Sequence, residues 1–441
     1  MRIEIKDKDN FICMFNKMYK NINLKKINGI TIDSRKVMPN DIFIPIKGKK
    51  FNGHDFIKKS FSLGASVCFS QEKIEHDNII KTDSVTNEVN KICRKWKNKS
   101  KAKIIGITGS NGKTTTKDLL YHIFKNKYMC SKTIGNFNSS IGFPISFLNT
   151  NLSDNYSILE YGASKPNEIK YLCDIISPDY SLITNISGAH IANFKSLEEL
   201  HNTKTELFKS TNKNGTCFIN TDRLSINMNE LKSKKITFSF KNKSDYNAQL
   251  IKNKNRNYLS INNNKFFIPD YLLHITDNIL AVCIISNILK IDTKYINQAL
   301  KSFELPKGRG NIIKYNDYIL IDDSYNANPS SLKLAIKRID NIQTKGKKIL
   351  VLGDMLELGE NELQEHENIS NLINESTIDI LLTYGKLSKS ICKNIKDSKY
   401  YKHYTNKNKL KIEASNLICR NDLIYLKGSR SMQLEKIYIN K

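Results

Sequence analysis

The sequence predicts an α/β protein of three domains. Three observations carry this: strand-like and helical runs alternate along most of the chain, a glycine-rich turn joins one such strand to one such helix, and 441 residues exceed what one core can organise. Hydrophobic residues make up 39% of the chain and are spread along it, which excludes a disordered or fibrous protein. No internal repeat is visible.

The first unit is expected over residues 1–100. It carries short strand-like runs at 29–33, 41–46 and 65–69 and a helical pattern over 56–63. The polar stretch Lys95 to Lys101 reads as a linker. Next comes the apolar run 103–108, then the turn Thr-Gly-Ser-Asn-Gly-Lys-Thr-Thr at 108 to 115, then a helical pattern over 114–124. Further strand-like runs at 157–160, 181–185, 216–220 and 236–240 interleave with helical stretches at 196–209 and 277–289. That alternation predicts a doubly wound parallel sheet over residues 101–306. The loop Leu305-Pro-Lys-Gly-Arg-Gly310 marks a second boundary. Beyond it, over 307–441, runs at 318–322, 348–352, 378–383 and 422–426 predict a separate, Rossmann-like α/β domain.

The nine cysteines are scattered and never form a C-x-x-C pair, so neither a disulfide framework nor a zinc cluster is expected. No run approaches the roughly 20 apolar residues that span a bilayer, and no secretory signal is visible, so the expected location is the cytoplasm. The net charge of +27 would suit a polyanion. The lysines are nonetheless dispersed among Asn and Ile, without a basic run or aromatic interleaving. This argues for a compositional bias rather than nucleic-acid binding, and a small, multiply anionic substrate would gain from the same field.

Chemistry concentrates where strands end. In the turn, Gly109 and Gly112 let the backbone N–H groups of Ser110, Asn111 and their neighbours wrap phosphate oxygens at a helix N-terminus. Lys113 would neutralise the outer phosphates, the Thr114 hydroxyl would face Mg2+, and Thr108 and Thr115 flank the loop. Ile107 stands where the usual phosphate loop has its first glycine, so this is a shorter form of the P-loop. Glu160 ends the next strand-like run as a candidate Mg2+ ligand. Asn185 and His190 follow the run after that. Lys204 alone would pass for a surface lysine. In the last domain, polar clusters at 322–329, 353–359 and 427–430 follow three strands directly, which suggests one binding edge.

These motifs together resemble the Mur ligases over essentially the whole chain. The likeness rests on the turn at 108–115, Gly-Asn-Phe-Asn-Ser-Ser-Ile-Gly at 135 to 142, Leu-Glu-Tyr-Gly-Ala at 159 to 163 and Thr-Asn-Ile-Ser-Gly-Ala-His at 184 to 190. It continues in Lys204, Gly308-Arg309 and the three polar clusters of the last domain. Two runs, Asp-Asp-Ser-Tyr-Asn-Ala-Asn-Pro at 322 to 329 and Gly-Asp-Met-Leu-Glu-Leu-Gly at 353 to 359, resemble the branch that adds D-alanyl-D-alanine to UDP-N-acetylmuramoyl-tripeptide. The resemblance implies ATP-dependent amide formation through an acyl phosphate. It implies Thr114, Glu160 and His190 around Mg2+, and Lys204 as a carbamylated lysine near the metals. It also implies nucleotide contacts from Asn278, Arg309, Asp323, Asn326 and Asn328, with the last domain closing over ATP. Ser34 and Arg35 would hold the UDP end in the first domain. A monomer that binds no nucleic acid is expected. Departures from the family pattern stand at Tyr161 (usually Met), Ser164 (often Asn), Asn40 (Gly) and the threonines 203 and 205 beside Lys204. Two other readings stay open at this point: a sibling or folylpolyglutamate-type ligase adding another amino acid, and a basic NTP-dependent nucleic-acid-binding protein.

Overall fold

The structure, a computed structural model, describes residues 1–48, 51–188, 191–253 and 256–438. It contains three sheets, one after another along the chain. The first has five strands in sequence order. Arg2–Glu4 lies antiparallel to Gly29–Thr31, and Asp41–Phe43, Val67–Ser70 and Ile79–Lys81 follow in parallel. Asn40, just before the third of these, has φ 65°, a left-handed conformation that Asn tolerates better than most residues, which accounts for its replacing a glycine there.

The stretch expected to be a linker is instead the end of the helix Val85–Lys99. Val85, Val89, Ile92, Cys93 and Trp96 recur at helical spacing and are buried, while the intervening lysines face water. Trp96 donates its indole N–H to the Thr150 carbonyl at 2.8 Å, and so ties the first sheet's helix to the second unit.

The second sheet has nine strands. Lys103–Thr108 lies between Tyr156–Glu160 and Tyr180–Ile183, parallel to both. The chain leaves Lys103–Thr108 for the edge strand Cys130–Lys132, returns through Tyr156–Glu160, then crosses to Tyr180–Ile183 on the other side. The winding direction thus reverses beside Lys103–Thr108, and the strand ends there open a crevice. At the far edge the sheet continues into antiparallel strands Tyr246–Asn253, Arg256–Ile261 and Asn264–Ile268, which sequence reading did not anticipate.

One stretch among the described residues, Asp270–Ile288, proves long and apolar enough to cross a membrane, with mean hydropathy 1.4 over 19 residues. Its place is interior. Ile279, Leu280, Val282, Cys283 and Ile285 are buried in the core shared with the helix Lys113–Phe124.

The third sheet has six strands. Tyr318–Asp323, Asp422–Lys427, Lys348–Gly353, Ile380–Tyr384 and Tyr400–Tyr404 lie parallel in that order, with Asn311–Lys314 antiparallel at the first edge. Its two apolar layers, one on each face, contain residues of this unit alone.

Candidate active site

The carboxyl ends of the second and third sheets face each other across a cleft of about 1450 Å³. On the central side, Lys103–Thr108 delivers the chain into the turn. Gly109 has φ 145°, and a Cβ there would lie 2.0 Å from Thr184 Oγ1, so only glycine fits against the neighbouring strand end. Gly112 has φ 82° and caps the helix Lys113–Phe124. Thr184 donates to the Asn111 carbonyl at 2.6 Å, and Asn185 both accepts from the Asn111 N–H and donates to its carbonyl. The loop is thereby braced before any ligand binds.

Lys113 folds back over this loop, with Nζ donating to the Gly109 carbonyl at 2.6 Å. Burial lowers its pKa and Glu160 opposes that shift. The Thr114 hydroxyl donates to Glu160 Oε2 at 2.9 Å and accepts from Arg309 at 3.2 Å. Asn138 Nδ2 donates to the other oxygen of Glu160 at 2.7 Å. Glu160 is 2% exposed and has no ion-pair partner among the described residues. A buried carboxylate held only by neutral donors, beside a hydroxyl and a phosphate loop, suits Mg2+, which takes one or two protein oxygens and completes its shell with phosphates and water. No cluster of three or more His, Cys, Asp or Glu that could hold a metal alone is found among the described residues.

Lys204 approaches from the helix Leu197–Lys209. It is 1% exposed, and its Nζ lies 3.5 Å from the Gly109 carbonyl. Burial, and then the nearby charge of Lys113, push its pKa down to about 7. Thr203 and Thr205 on either side are also buried. His190 lies outside the described residues. Asn278 donates to Thr116 at 2.7 Å and packs against Gly112, and Thr115 is buried and borders the cleft. Thr108 donates to the Tyr161 carbonyl at 2.7 Å, and Tyr161, buried where the family has Met, sends its own hydroxyl to the Ile176 carbonyl.

From the third sheet, Arg309 stacks on the Tyr325 ring at 3.7 Å, which fixes the guanidinium that reaches Thr114. Asn328 caps the helix Pro329–Asn341 and also donates Nδ2 to Asn111 Oδ1 at 2.8 Å across the cleft. Ser330 joins both Asn111 and Ser187. Asp323 accepts from Lys427 at 2.7 Å and from the Tyr425 hydroxyl at 3.1 Å, and Lys427 also holds the Asn326 carbonyl. The runs at 353–359 and 427–430 are knit together, since Leu356 N–H donates to Ser429 Oγ and Ser429 N–H to the Asp354 carbonyl. Asp354 itself receives the N–H groups of Lys386, Leu387 and Ser388.

Ser34 and Arg35 do not border this cleft. Ser34 is buried, and the exposed Arg35 forms a two-pronged ion pair with Asp33, which lowers the Asp33 pKa to about 2. Asn138, Ser330 and Lys427 carry contacts that sequence reasoning did not assign. The signal for Asn138 and Lys427 was position within the runs 135–142 and 427–430, not residue type, and Ser330 lies one residue past the run 322–329.

The chain matches the family descriptions "Mur ligase family, catalytic domain" over 26–103, "Mur ligase middle domain" over 107–290 and "Mur ligase, glutamate ligase domain" over 308–430. It is 35% identical over 432 residues to the UDP-N-acetylmuramoyl-tripeptide–D-alanyl-D-alanine ligase of Buchnera aphidicola subsp. Baizongia pistaciae, covering 95% of this chain and 93% of that protein. It is 31% identical to the Bacillus subtilis protein of the same name, covering 93% and 92%. The crystal structure of MurF ligase from Thermotoga maritima in complex with ADP superposes with a TM-score of 0.81 at 26% identity, covering 92% and 95%. The chain belongs to the Mur ligase family, and within it to the MurF branch.

Proposed function

We propose that the cleft between the second and third sheets binds ATP and the peptide carboxylate together, so that the chain works as an ATP-dependent ligase adding D-alanyl-D-alanine to UDP-N-acetylmuramoyl-tripeptide. The observation that carries this reading is the convergence of Lys113, Thr114, Glu160, Arg309 and Asn328, drawn from two sheets, on one phosphate loop. A free carboxylate does not react with an amine. Transfer of the γ-phosphoryl group to the terminal carboxylate of the tripeptide releases ADP and leaves an acyl phosphate. The dipeptide amine then attacks the carbonyl carbon, gives up a proton and expels inorganic phosphate.

In this reading Lys113 turns from its own loop to the outer phosphates, and Arg309, held flat on Tyr325, meets the charge that develops on the transferring group. Thr114 and Glu160 would hold Mg2+, with His190 assigned to it by resemblance alone, and the ion would neutralise phosphate charge. Asn278, which packs against Gly112 of the phosphate loop, would contact the nucleotide, and Asp323, Asn326 and Asn328 would join it from the third sheet. Lys204 is proposed to be carbamylated. Its buried amine, its pKa pushed down to about 7, is roughly half uncharged at neutral pH where an ordinary lysine is almost wholly protonated, and only an uncharged amine adds to CO2. The carbamate would be an anion near the metals, where an ammonium would repel them. Ser34 and Arg35 are proposed to meet the UDP end, the Arg35 fork exchanging Asp33 for a diphosphate.

The nucleotide-linked, highly polar substrate supports a cytoplasmic setting. The decisive assay follows phosphate release with ATP, Mg2+, UDP-N-acetylmuramoyl-tripeptide and D-alanyl-D-alanine. Release should require all four, and Lys113→Ala should abolish it. Equal turnover with a single amino acid in place of the dipeptide would refute the acceptor assignment.

A further inference from the structure

Lys117 has no task in the phosphate-loop reading, yet it is 1% exposed. It lies one turn beyond Lys113 on the same face of the helix Lys113–Phe124. Burial lowers its pKa, against the opposing fields of Asp118 and Glu160. An ammonium in such a place is costly unless its donors are all engaged.

They are engaged by one segment of chain. Nζ donates to the Thr133 carbonyl at 2.9 Å and the Gly135 carbonyl at 3.1 Å, and stands 3.4 Å from the Asp118 carboxylate. Lys132 holds Asp118 from the other side at 2.7 Å. The clamped segment leads straight to Glu160. Thr133 Oγ1 accepts the Glu160 N–H at 2.9 Å, and Asn138, a few residues on, donates to Glu160 Oε1. The Asn138 carbonyl in turn accepts the Gly162 N–H at 3.0 Å, and a Cβ on Gly162 would lie 2.7 Å from the Asn138 side chain. Glu160 is therefore fixed at its backbone and at one oxygen by a loop whose first turn is pinned by Lys117. Its second oxygen is left facing Thr114.

We propose that Lys117 is a positioning residue for the metal-binding carboxylate: it clamps the 133–138 segment so that Thr133 and Asn138 hold Glu160 with Oε2 turned to the metal. The inference rests on the reading of Glu160 as a Mg2+ ligand. Loss of the clamp then appears in the metal dependence of the reaction rather than in recognition of the dipeptide.

The test titrates Mg2+ against phosphate release, and against the heat of Mg2+ binding to the ADP complex by calorimetry, in the full chain carrying Lys117→Met, Asn138→Ala, both, or Glu160→Gln. Lys117→Met should raise the Mg2+ concentration for half-maximal rate about tenfold and lower kcat by about the same factor, with KM for D-alanyl-D-alanine within about twofold. The double variant should be no worse than the more damaged single one, because both break one relay. Multiplying effects, or an unchanged Mg2+ requirement in Lys117→Met while Glu160→Gln shifts it, overturn the proposal alone. No shift in Glu160→Gln overturns the metal assignment and the proposal with it. If Lys117→Met loses its cooperative melt, Lys117→Gln, whose amide reaches one of the two carbonyls, is held to the same outcomes.

Discussion

Lys204 and Lys117 are both lysines with 1% exposure, and both lie near the phosphate loop. Their surroundings assign them opposite fates. Lys117 has two carbonyls and a carboxylate around its ammonium. Lys204 has one long contact to a carbonyl and the cation Lys113 as its neighbour. Its pKa of about 7 lies below that of an ordinary lysine, so the unfolded chain binds more protons between about pH 7 and 10. Folding stability from this group therefore rises with pH through that window and is lost as pH falls toward 7. The same titration governs carbamylation. Activation by added bicarbonate should be strong at about pH 8 and fade below about pH 7 as the amine takes up a proton. Lys204→Ala should lose most activity and regain part of it with short carboxylic acids that occupy the vacated site. Full activity without them would remove the carbamate from the mechanism. Neither lysine is legible from residue type and spacing, since each is one of two lysines on its helix in a chain with 70 basic residues. Lys204 was singled out only through resemblance, and Lys117 was not singled out at all.

Among the elements, the strand, turn and helix at 103–124 were the most legible, because an apolar run, two glycines and a helical pattern are all local signals. The structure adds why each glycine is required. At Gly112 a Cβ would lie 2.5 Å from Asn278 Nδ2 on a backbone with φ 82°. Gly112→Ala should cost about 1 to 2 kcal/mol of backbone strain. It should also push Asn278 off Thr116, raising KM for ATP about tenfold or more. Titration calorimetry with ADP reads this effect directly. The helix Val85–Lys99 was misread because five of its last six residues are basic or Asn, a composition that hides one buried Trp. The antiparallel strands from Tyr246 to Ile268 were missed because their outer faces carry Asn and Lys, and what makes them strands is pairing with one another at the sheet edge.

The three units of the molecule are joined in two different ways. A single apolar core runs from Ile3, Phe11 and Trp96 of the first unit to Phe143, Leu159 and Ile219 of the second, and the Asn90–Tyr171 bond at 2.6 Å reinforces it. The third unit keeps its apolar layers to itself. It meets the second through Asn111–Asn328, Ser187–Ser330, Arg309–Thr114 and the Ala192 N–H to the Glu357 carbonyl, after a linker with Gly308 at φ 73° and Gly310 at φ 89°. Separating an apolar core exposes area at roughly 25 cal/mol per Å², whereas polar contacts exchange for water at small net cost. The third unit is therefore the part expected to swing, with the linker glycines taking up the dihedral change. Asn328 is the sharpest test because it reaches across the cleft. Asn328→Ala should raise KM for ATP and reduce the contraction seen by small-angle scattering when an ATP analogue and the tripeptide substrate are added. It also removes a helix cap worth about 1 kcal/mol, which by itself would lower stability. Ser331→Ala separates the two effects, since Ser331 accepts the Asn328 N–H in the same capping box and, among the described residues, makes no hydrogen bond to Asn111. If Ser331→Ala reproduces the loss of contraction, the cap and not the bridge governs closure; if it lowers the melting temperature while contraction survives, Asn328 holds the closed state through Asn111.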